Sequence, residues 1–203
     1  MYHLFRKTLE GFPVITLADI RMAFPDFDMK NLINWQKKGY IIKLRNGFYL
    51  FADRKVTEHS LYQIANKLYE PSYVSLESAL GFYGLIPEGV YSVQSVSTRK
   101  TNAITTPVGT FHYFSMKNAL YFGYRLVTDP SDHPFRMASL EKAVLDFLYL
   151  RPDVNDYAAF EALRWHQDEL KGLNNVVMKE YLDVFQSPTL RKKIDWLQTY
   201  MHA

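Results

Sequence analysis

Apolar residues recur at helical spacing through the first forty positions of the chain. This spacing predicts a helix over residues 2–9, a second helix that begins after Thr16 and ends near Pro25, and a third helix that is capped by Asp28 and ends at Gly39. Thr and Asp side chains commonly cap helix N termini, and glycine commonly ends a helix. The pattern therefore predicts three short helices in succession.

The pattern then changes from helix to strand. Residues 40–44 and 48–51 are rich in β-branched and aromatic side chains, and they flank Asn46 and Gly47. Asn-Gly is typical of a tight hairpin whose two turn residues both have positive φ. Helix, turn, helix and hairpin in this order predict a winged helix-turn-helix over residues 1–55.

The third helix carries two different faces. Leu32 and Trp35 form its apolar face. Its polar residues are Lys30, Asn31, Asn34, Lys37 and Lys38, and the hairpin adds Lys43, Arg45 and Asn46. Lysines neutralise phosphates, and asparagine can pair bidentately with an adenine edge. These residues are therefore the predicted DNA-binding surface, with the helix in the major groove and the hairpin on a flanking backbone or minor groove. The alternative is an ordinary solvated face.

The charge distribution suggests a DNA-binding module, although charge alone favours an ordinary solvated face. Residues 1–55 hold ten Lys or Arg against five Asp or Glu, whereas the rest of the chain holds 14 against 16. Basic charge concentrated in one part of a chain is typical of a module that faces nucleic acid. The other part is expected to meet a different partner.

A polar segment after the hairpin, residues 51–60, predicts a boundary, so residues 56–203 form a second domain. Helices are predicted after Thr57, from Leu76, and over residues 139–150, 155–168, 174–185 and 188–201. Strands are predicted near residues 72–74 and over residues 91–98, 109–116 and 124–128, with a basic loop over residues 98–107. The fold class is α+β: a winged helix-turn-helix followed by a mixed α/β domain with a helical C-terminal part.

Length and composition limit the class of protein. A chain of 203 residues favours two domains, and the absence of cysteine excludes disulfides and cysteine-ligated zinc. No run approaches the roughly 18 apolar residues that span a bilayer. We expect a cytoplasmic protein that has no membrane partner, and no metal or cofactor motif is present.

Three longer segments carry a resemblance to a known family. They are "YVSLESALGFYGLIPEGV", "VSTRKTNAITTPVGTFHYFSM" and "RMASLEKAVLDFLYL", and they occur in this order. Together they resemble the successive core motifs of the AbiEi-family antitoxins, which are transcriptional regulators paired with a nucleotidyltransferase-type toxin in bacterial AbiE abortive-infection systems. The resemblance spans roughly residues 12–150.

The resemblance implies a bifunctional protein that takes part in phage defence. The N-terminal winged helix-turn-helix would repress its own operon by binding double-stranded operator DNA. The second domain would be an antitoxin domain of a type IV toxin-antitoxin system, in which stable direct binding to the toxin is not required. Arg99 and Lys100 match a basic turn of the family that carries a second Arg in place of Lys100. Lys keeps the charge but lacks the planar guanidinium fork.

Two other function classes were weighed. Ser75, Glu77, His112, Asp146 and His166 are residue types used in catalysis, but they form no recognisable signature, and Ser75 is predicted to cap a helix. We therefore expect no enzyme. A stand-alone winged-helix regulator, or a protein-interaction module without antitoxin activity, is the alternative. Such an interface would use the aromatic residues Tyr83, Tyr91, Tyr113, Phe114, Tyr121 and Phe122.

Overall fold

The computed structural model describes residues 1–86, 92–128 and 133–202, and the protein is α+β. The N-terminal elements are α1 (Tyr2–Leu9), β1 (Ile15–Thr16), α2 (Leu17–Ala23), α3 (Lys30–Lys37), β2 (Ile41–Arg45) and β3 (Phe48–Phe51). The three strands form an antiparallel sheet in the order β1-β3-β2. The three predicted helices and the hairpin are thus confirmed as elements.

Two of the helix starts follow from their capping side chains. The Thr16 hydroxyl accepts a hydrogen bond from the Asp19 N–H, and the Asp19 carboxylate accepts one from the Thr16 N–H, so α2 begins with a capping box. The Asp28 carboxylate accepts a hydrogen bond from the Lys30 N–H at 2.9 Å. Helix α3 spans Lys30–Lys37 with Met29 at the N-cap position, so the N-cap predicted at Asp28 lies one residue too early, although the Asp28 carboxylate does accept a backbone N–H of the first turn.

The hairpin turn differs from the predicted type. Gly47 has a φ of 82°, but Asn46 does not have positive φ. The register shifts between Lys43 and Arg45, so β2 contains a bulge before the turn. A bulge with a single left-handed glycine closes a hairpin without positive φ at both turn residues.

The rest of the chain is built around a larger sheet. Its helices are α4 (Glu58–Leu68), α5 (Leu76–Phe82), α6 (Leu140–Leu150), α7 (Tyr157–Glu161), α8 (Gln167–Leu170), α9 (Asn175–Phe185) and α10 (Pro188–His202), with a 3₁₀ turn at Asn118–Leu120. Its strands are β4 (Ser72–Val74), β5 (Ser92–Ser97), β6 (Asn102–Thr106), β7 (Gly109–Ser115), β8 (Tyr124–Val127) and β9 (Phe135–Ala138). The sheet order is β6-β7-β5-β4-β9-β8, with parallel pairing of β5 to β7 and of β4 to β9.

Three predictions for this part were wrong. Residues 102–106, predicted as a loop, form β6, which pairs antiparallel with β7. Strand β9 was not predicted, and it pairs with both β4 and β8. The helix predicted over residues 155–168 is two short helices, α7 and α8, separated at Arg164, which has a φ of 51°.

The small sheet packs on both of its faces. Tyr49 and Phe51 belong to the N-terminal core together with Phe5, Ile20 and Trp35. Residues that alternate with them along the hairpin, Leu44 and Leu50, belong instead to the main core, which includes α4, α5, α6 and the large sheet. Because side chains alternate across a strand, the hairpin joins both cores.

No helix within the described residues is long and apolar enough to cross a membrane.

Candidate nucleic-acid interface and the basic loop

Helix α3 is held by its two buried side chains. Trp35 contacts Phe5, with ring centroids 4.7 Å apart, and Tyr2 at 5.2 Å. Leu32 is buried in the same core. These contacts place α1 against the apolar side of α3, so the orientation of the opposite side toward solvent is fixed by packing.

The predicted DNA-facing residues of α3 lie on that opposite side. Lys30, Asn34, Lys37 and Lys38 are exposed, whereas Asn31 is half-buried. In the part of the chain that the structure describes, none of these lysines is paired with a carboxylate. Their charges are therefore available to an anionic partner.

The hairpin presents fewer free groups than its sequence suggests. Lys43 and Asn46 are exposed. The turn itself is tied to the start of α2, because the Leu17 N–H donates to the Gly47 carbonyl oxygen at 3.1 Å. The hairpin is thus positioned by α2 as well as by the two cores.

Arg45 lies in a different setting from Lys43. Its Nη1 donates to the Leu68 carbonyl oxygen at 3.1 Å, at the end of α4, and its guanidinium lies 4.8 Å from the centre of the Phe48 ring. The side chain is half-buried. Arg45 therefore fastens the hairpin to the rest of the protein instead of extending from the hairpin tip.

Arg99 and Lys100 form an exposed turn between β5 and β6. Arg99 Nη1 donates to the Glu70 carbonyl oxygen at 3.2 Å, and its guanidinium lies 4.3 Å from the centre of the Tyr69 ring. The Tyr69 hydroxyl in turn donates to the Lys100 carbonyl oxygen at 2.9 Å. The backbone of this basic loop is therefore fixed, while the Lys100 side chain is exposed.

A buried polar network lies away from both surfaces. Lys142 and Asp146 form a fully buried ion pair one helical turn apart on α6. Tyr73 and Ser75 each donate a hydroxyl hydrogen bond to Asp146 at 2.9 Å, and Lys142 Nζ also donates to the Tyr73 hydroxyl. This network joins two of the segments quoted above, "YVSLES" and "SLEKAVLDFLYL", across the fold.

Burial dominates the protonation energetics of the pair. It lowers the pKa of the Lys142 ammonium, although Asp146 opposes the shift. Burial raises the pKa of the Asp146 carboxyl, against the opposing effects of Lys142, Tyr73 and Ser75. For each of the two groups, the effect of burial on the pKa is thus larger than the opposing effect of its ion-pair and hydrogen-bond partners. The Lys-Asp spacing of four was the available sequence signal, but spacing gives no indication of burial.

The residues weighed for catalysis do not gather into one site. Ser75 is the N-cap residue of α5, as predicted, but its hydroxyl donates to Asp146 and makes no capping hydrogen bond. Glu77 pairs with Arg151 at 2.7 Å, and His166 Nδ1 lies 2.8 Å from the Gly84 carbonyl oxygen. His112 is half-buried on β7, opposite Gln94. Only Ser75 and Asp146 meet, inside the buried network.

The aromatic residues considered for a protein interface mostly support the main core. Tyr113 is buried, and Tyr83, Phe114, Tyr121 and Phe122 are partly buried against the same core. Tyr91 lies outside the described residues.

Neither a protein-family model nor a curated protein matches the sequence.

Proposed function

We propose that the protein is a sequence-specific transcription regulator that binds double-stranded DNA, with a winged helix-turn-helix over residues 1–55. The observation that carries the proposal is the exposed face of α3. Lys30 and Lys37 are unpaired there, Asn34 lies beside them, and Leu32 and Trp35 anchor the opposite side. Unpaired lysines on a rigidly packed helix suit a partner of regularly spaced negative charge.

In this proposal α3 lies in the major groove. The lysines neutralise phosphates and fix the register, and Asn34 pairs with an adenine edge. Lys43 and Asn46 reach the flanking backbone or minor groove. Arg45 contributes to DNA binding indirectly, because its hydrogen bond to the Leu68 carbonyl oxygen sets the position of the hairpin.

The antitoxin role is proposed on the resemblance to the AbiEi family. The protein would repress its own operon through residues 1–55 and counteract a nucleotidyltransferase-type toxin through residues 56–203. Exposure of Arg99 and Lys100 in a loop whose backbone is held by Tyr69 supports a role for that loop in antitoxin function. A fixed backbone holds these two residues at one place on the protein surface.

A second candidate is a stand-alone regulator or protein-interaction module. The observation that favours it is the edge strand β8, where Tyr124 is 38% exposed and Leu126 is 64% exposed. Exposed edge strands with apolar side chains can pair with another chain. The experiments below distinguish the candidates.

DNA binding is tested by titrating the full-length protein against the duplex upstream of its own gene, and against a random duplex, at several salt concentrations. We expect tighter binding to the upstream duplex and a steep loss of affinity with salt, because phosphate contacts release counterions. Lys37→Ala should lower the slope of log K against log salt by about 1. Lys179→Ala, which removes an exposed lysine from α9, is the matched control. Equal binding to both duplexes would contradict sequence-specific regulation.

Antitoxin function is tested by co-expressing the protein with a nucleotidyltransferase-type toxin of an AbiE system and scoring growth. Rescue supports the antitoxin assignment. Failure of the well-folded full-length protein to rescue, together with specific DNA binding, would leave the stand-alone regulator. Failure in both assays would leave the interaction module.

A further inference from the structure

The exposed face of α3 carries an apolar residue that the fold does not use. Ile33 is 55% exposed, and within the described residues it is packed against neither hydrophobic core. Met29, one turn earlier on the same side of the helix, is 39% exposed. The packing of α3 rests instead on Leu32 and Trp35.

The position of Ile33 on the helix is specific. At about 100° per residue, Lys30 and Lys37 lie on the centre line of the exposed face. Asn34 lies about 50° to one side of that line and Ile33 about 50° to the other. An α-helix inserted into a groove with this face would therefore turn Asn34 and Ile33 toward base edges on the two sides of that line.

The chemistry of Ile33 complements that of Asn34. A β-branched residue in mid-helix has lower helix propensity than lysine or glutamine, so α3 gains nothing locally from isoleucine. An exposed apolar side chain on a cationic face gains stability when the anionic partner covers it with an apolar group. In the major groove that group is the 5-methyl of thymine, since the other base edges there are hydrogen-bond donors and acceptors.

We propose that Ile33 determines sequence preference by packing against the 5-methyl group of a thymine. This inference rests on the proposed DNA binding and deepens it. Because thymine pairs with adenine, Ile33 and Asn34 would together favour A·T pairs in the bound site, Ile33 through the methyl group and Asn34 through the adenine edge. The lysines beside them would contribute affinity for any duplex.

The probe is the tightest-binding duplex selected from a random-sequence library by the full-length protein. Each thymidine in it is replaced in turn by 2′-deoxyuridine, which removes only the 5-methyl group. We expect at least one position at which this replacement weakens wild-type binding about fourfold, the value for one methyl group removed from an apolar contact.

Variants then assign that contact to Ile33. Ile33→Ala should bind thymidine and deoxyuridine duplexes equally at that position, whereas Ile33→Val should retain most of the discrimination. Val184→Ala, which shortens a β-branched residue 47% exposed on α9, is the matched control and should discriminate like the wild type. Circular dichroism checks that each variant is folded.

The outcomes separate this inference from the function on which it rests. The role of Ile33 would be overturned if the protein binds selected DNA but no thymidine replacement weakens binding. It would also be overturned if Ile33→Ala still discriminates between thymidine and deoxyuridine. In both cases DNA binding itself would stand. Failure to select any duplex would overturn both.

Discussion

Arg45 and Arg99 donate hydrogen bonds to carbonyl oxygens only two residues apart in the chain, those of Leu68 at 3.1 Å and Glu70 at 3.2 Å. Tyr69 lies between these two residues, and the Arg99 guanidinium covers its ring. The end of α4 thus supports both the hairpin of the N-terminal part and the basic loop between β5 and β6. Surfaces proposed for two different partners share one structural support.

Arg45 and Lys43 should behave differently although they lie on the same strand. Arg45→Ala should lower the free energy of unfolding by about 1–2 kcal/mol, because it removes a charged donor from a partly buried carbonyl. Lys43→Ala should change stability by less than about 0.5 kcal/mol, as expected for an exposed side chain. Urea denaturation measures both. Lys43→Ala should still weaken DNA binding, and equal stability losses in the two variants would contradict the placement of Arg45.

Substitutions of the two basic-loop residues, Arg99 and Lys100, should also differ in their effect on stability. Lys100→Glu should impair rescue from the toxin without loss of stability, since its side chain is exposed and only its carbonyl oxygen is used by Tyr69. Arg99→Glu should in addition lower stability by about 0.5–1 kcal/mol, through loss of its contact with the Tyr69 ring. Growth under toxin co-expression and denaturation measured by circular dichroism test this. Full protection by a folded double variant would exclude the loop from antitoxin function.

The buried pair Lys142 and Asp146 should be non-additive in a double-mutant cycle. Lys142→Met leaves an unpaired buried carboxylate and should cost about 3–5 kcal/mol, and Asp146→Leu should cost a similar amount. The combination Lys142→Met with Asp146→Leu removes both charges and should cost less than either single change. Guanidinium denaturation gives the three values. Additive losses would mean that the pair contributes no coupling.

The fragment 56–203 should fold, lose DNA binding and be less stable than the intact chain. It keeps every strand of the large sheet, but it lacks Leu44 and Leu50, which the intact protein buries in the main core. Losing two buried leucines should cost several kcal/mol, on the order of 2–5 kcal/mol for each. Denaturation and dye binding to exposed apolar surface measure the effect. A fragment as stable as the whole would show that the two cores are independent.

Local features of the chain predicted most elements but few of the contacts. The capping residues Thr16 and Thr57 located helices α2 and α4, and periodic apolar residues located α6, because these signals lie within the helix or within a few residues of its start. Asn46 and Gly47 located the hairpin but not its turn type, since the bulge depends on how β2 and β3 pair.

The candidate interface divides in the same way. The pattern of Leu32 and Trp35 was enough to assign the exposed face of α3, because helix geometry alone separates the two sides. Local pattern did not predict the position of the Arg45 side chain, because the carbonyl oxygen to which it donates belongs to Leu68, 23 residues further along the chain. Ile33 was overlooked because an apolar residue is expected in the core until its exposure is known.

The sequence by itself determined most of the elements and the two faces of α3, which follow from side-chain periodicity and local capping. Its composition determined the basic N-terminal part. Only the tertiary structure decided that residues 102–106 and Phe135–Ala138 are strands, since a strand exists through its hydrogen-bonded neighbours, here β7 for the first and β4 and β8 for the second. The tertiary structure also decided that Lys142 is buried and that Arg45 holds the hairpin against the end of α4. Both results depend on which distant groups surround a charge, and spacing along the chain does not specify them.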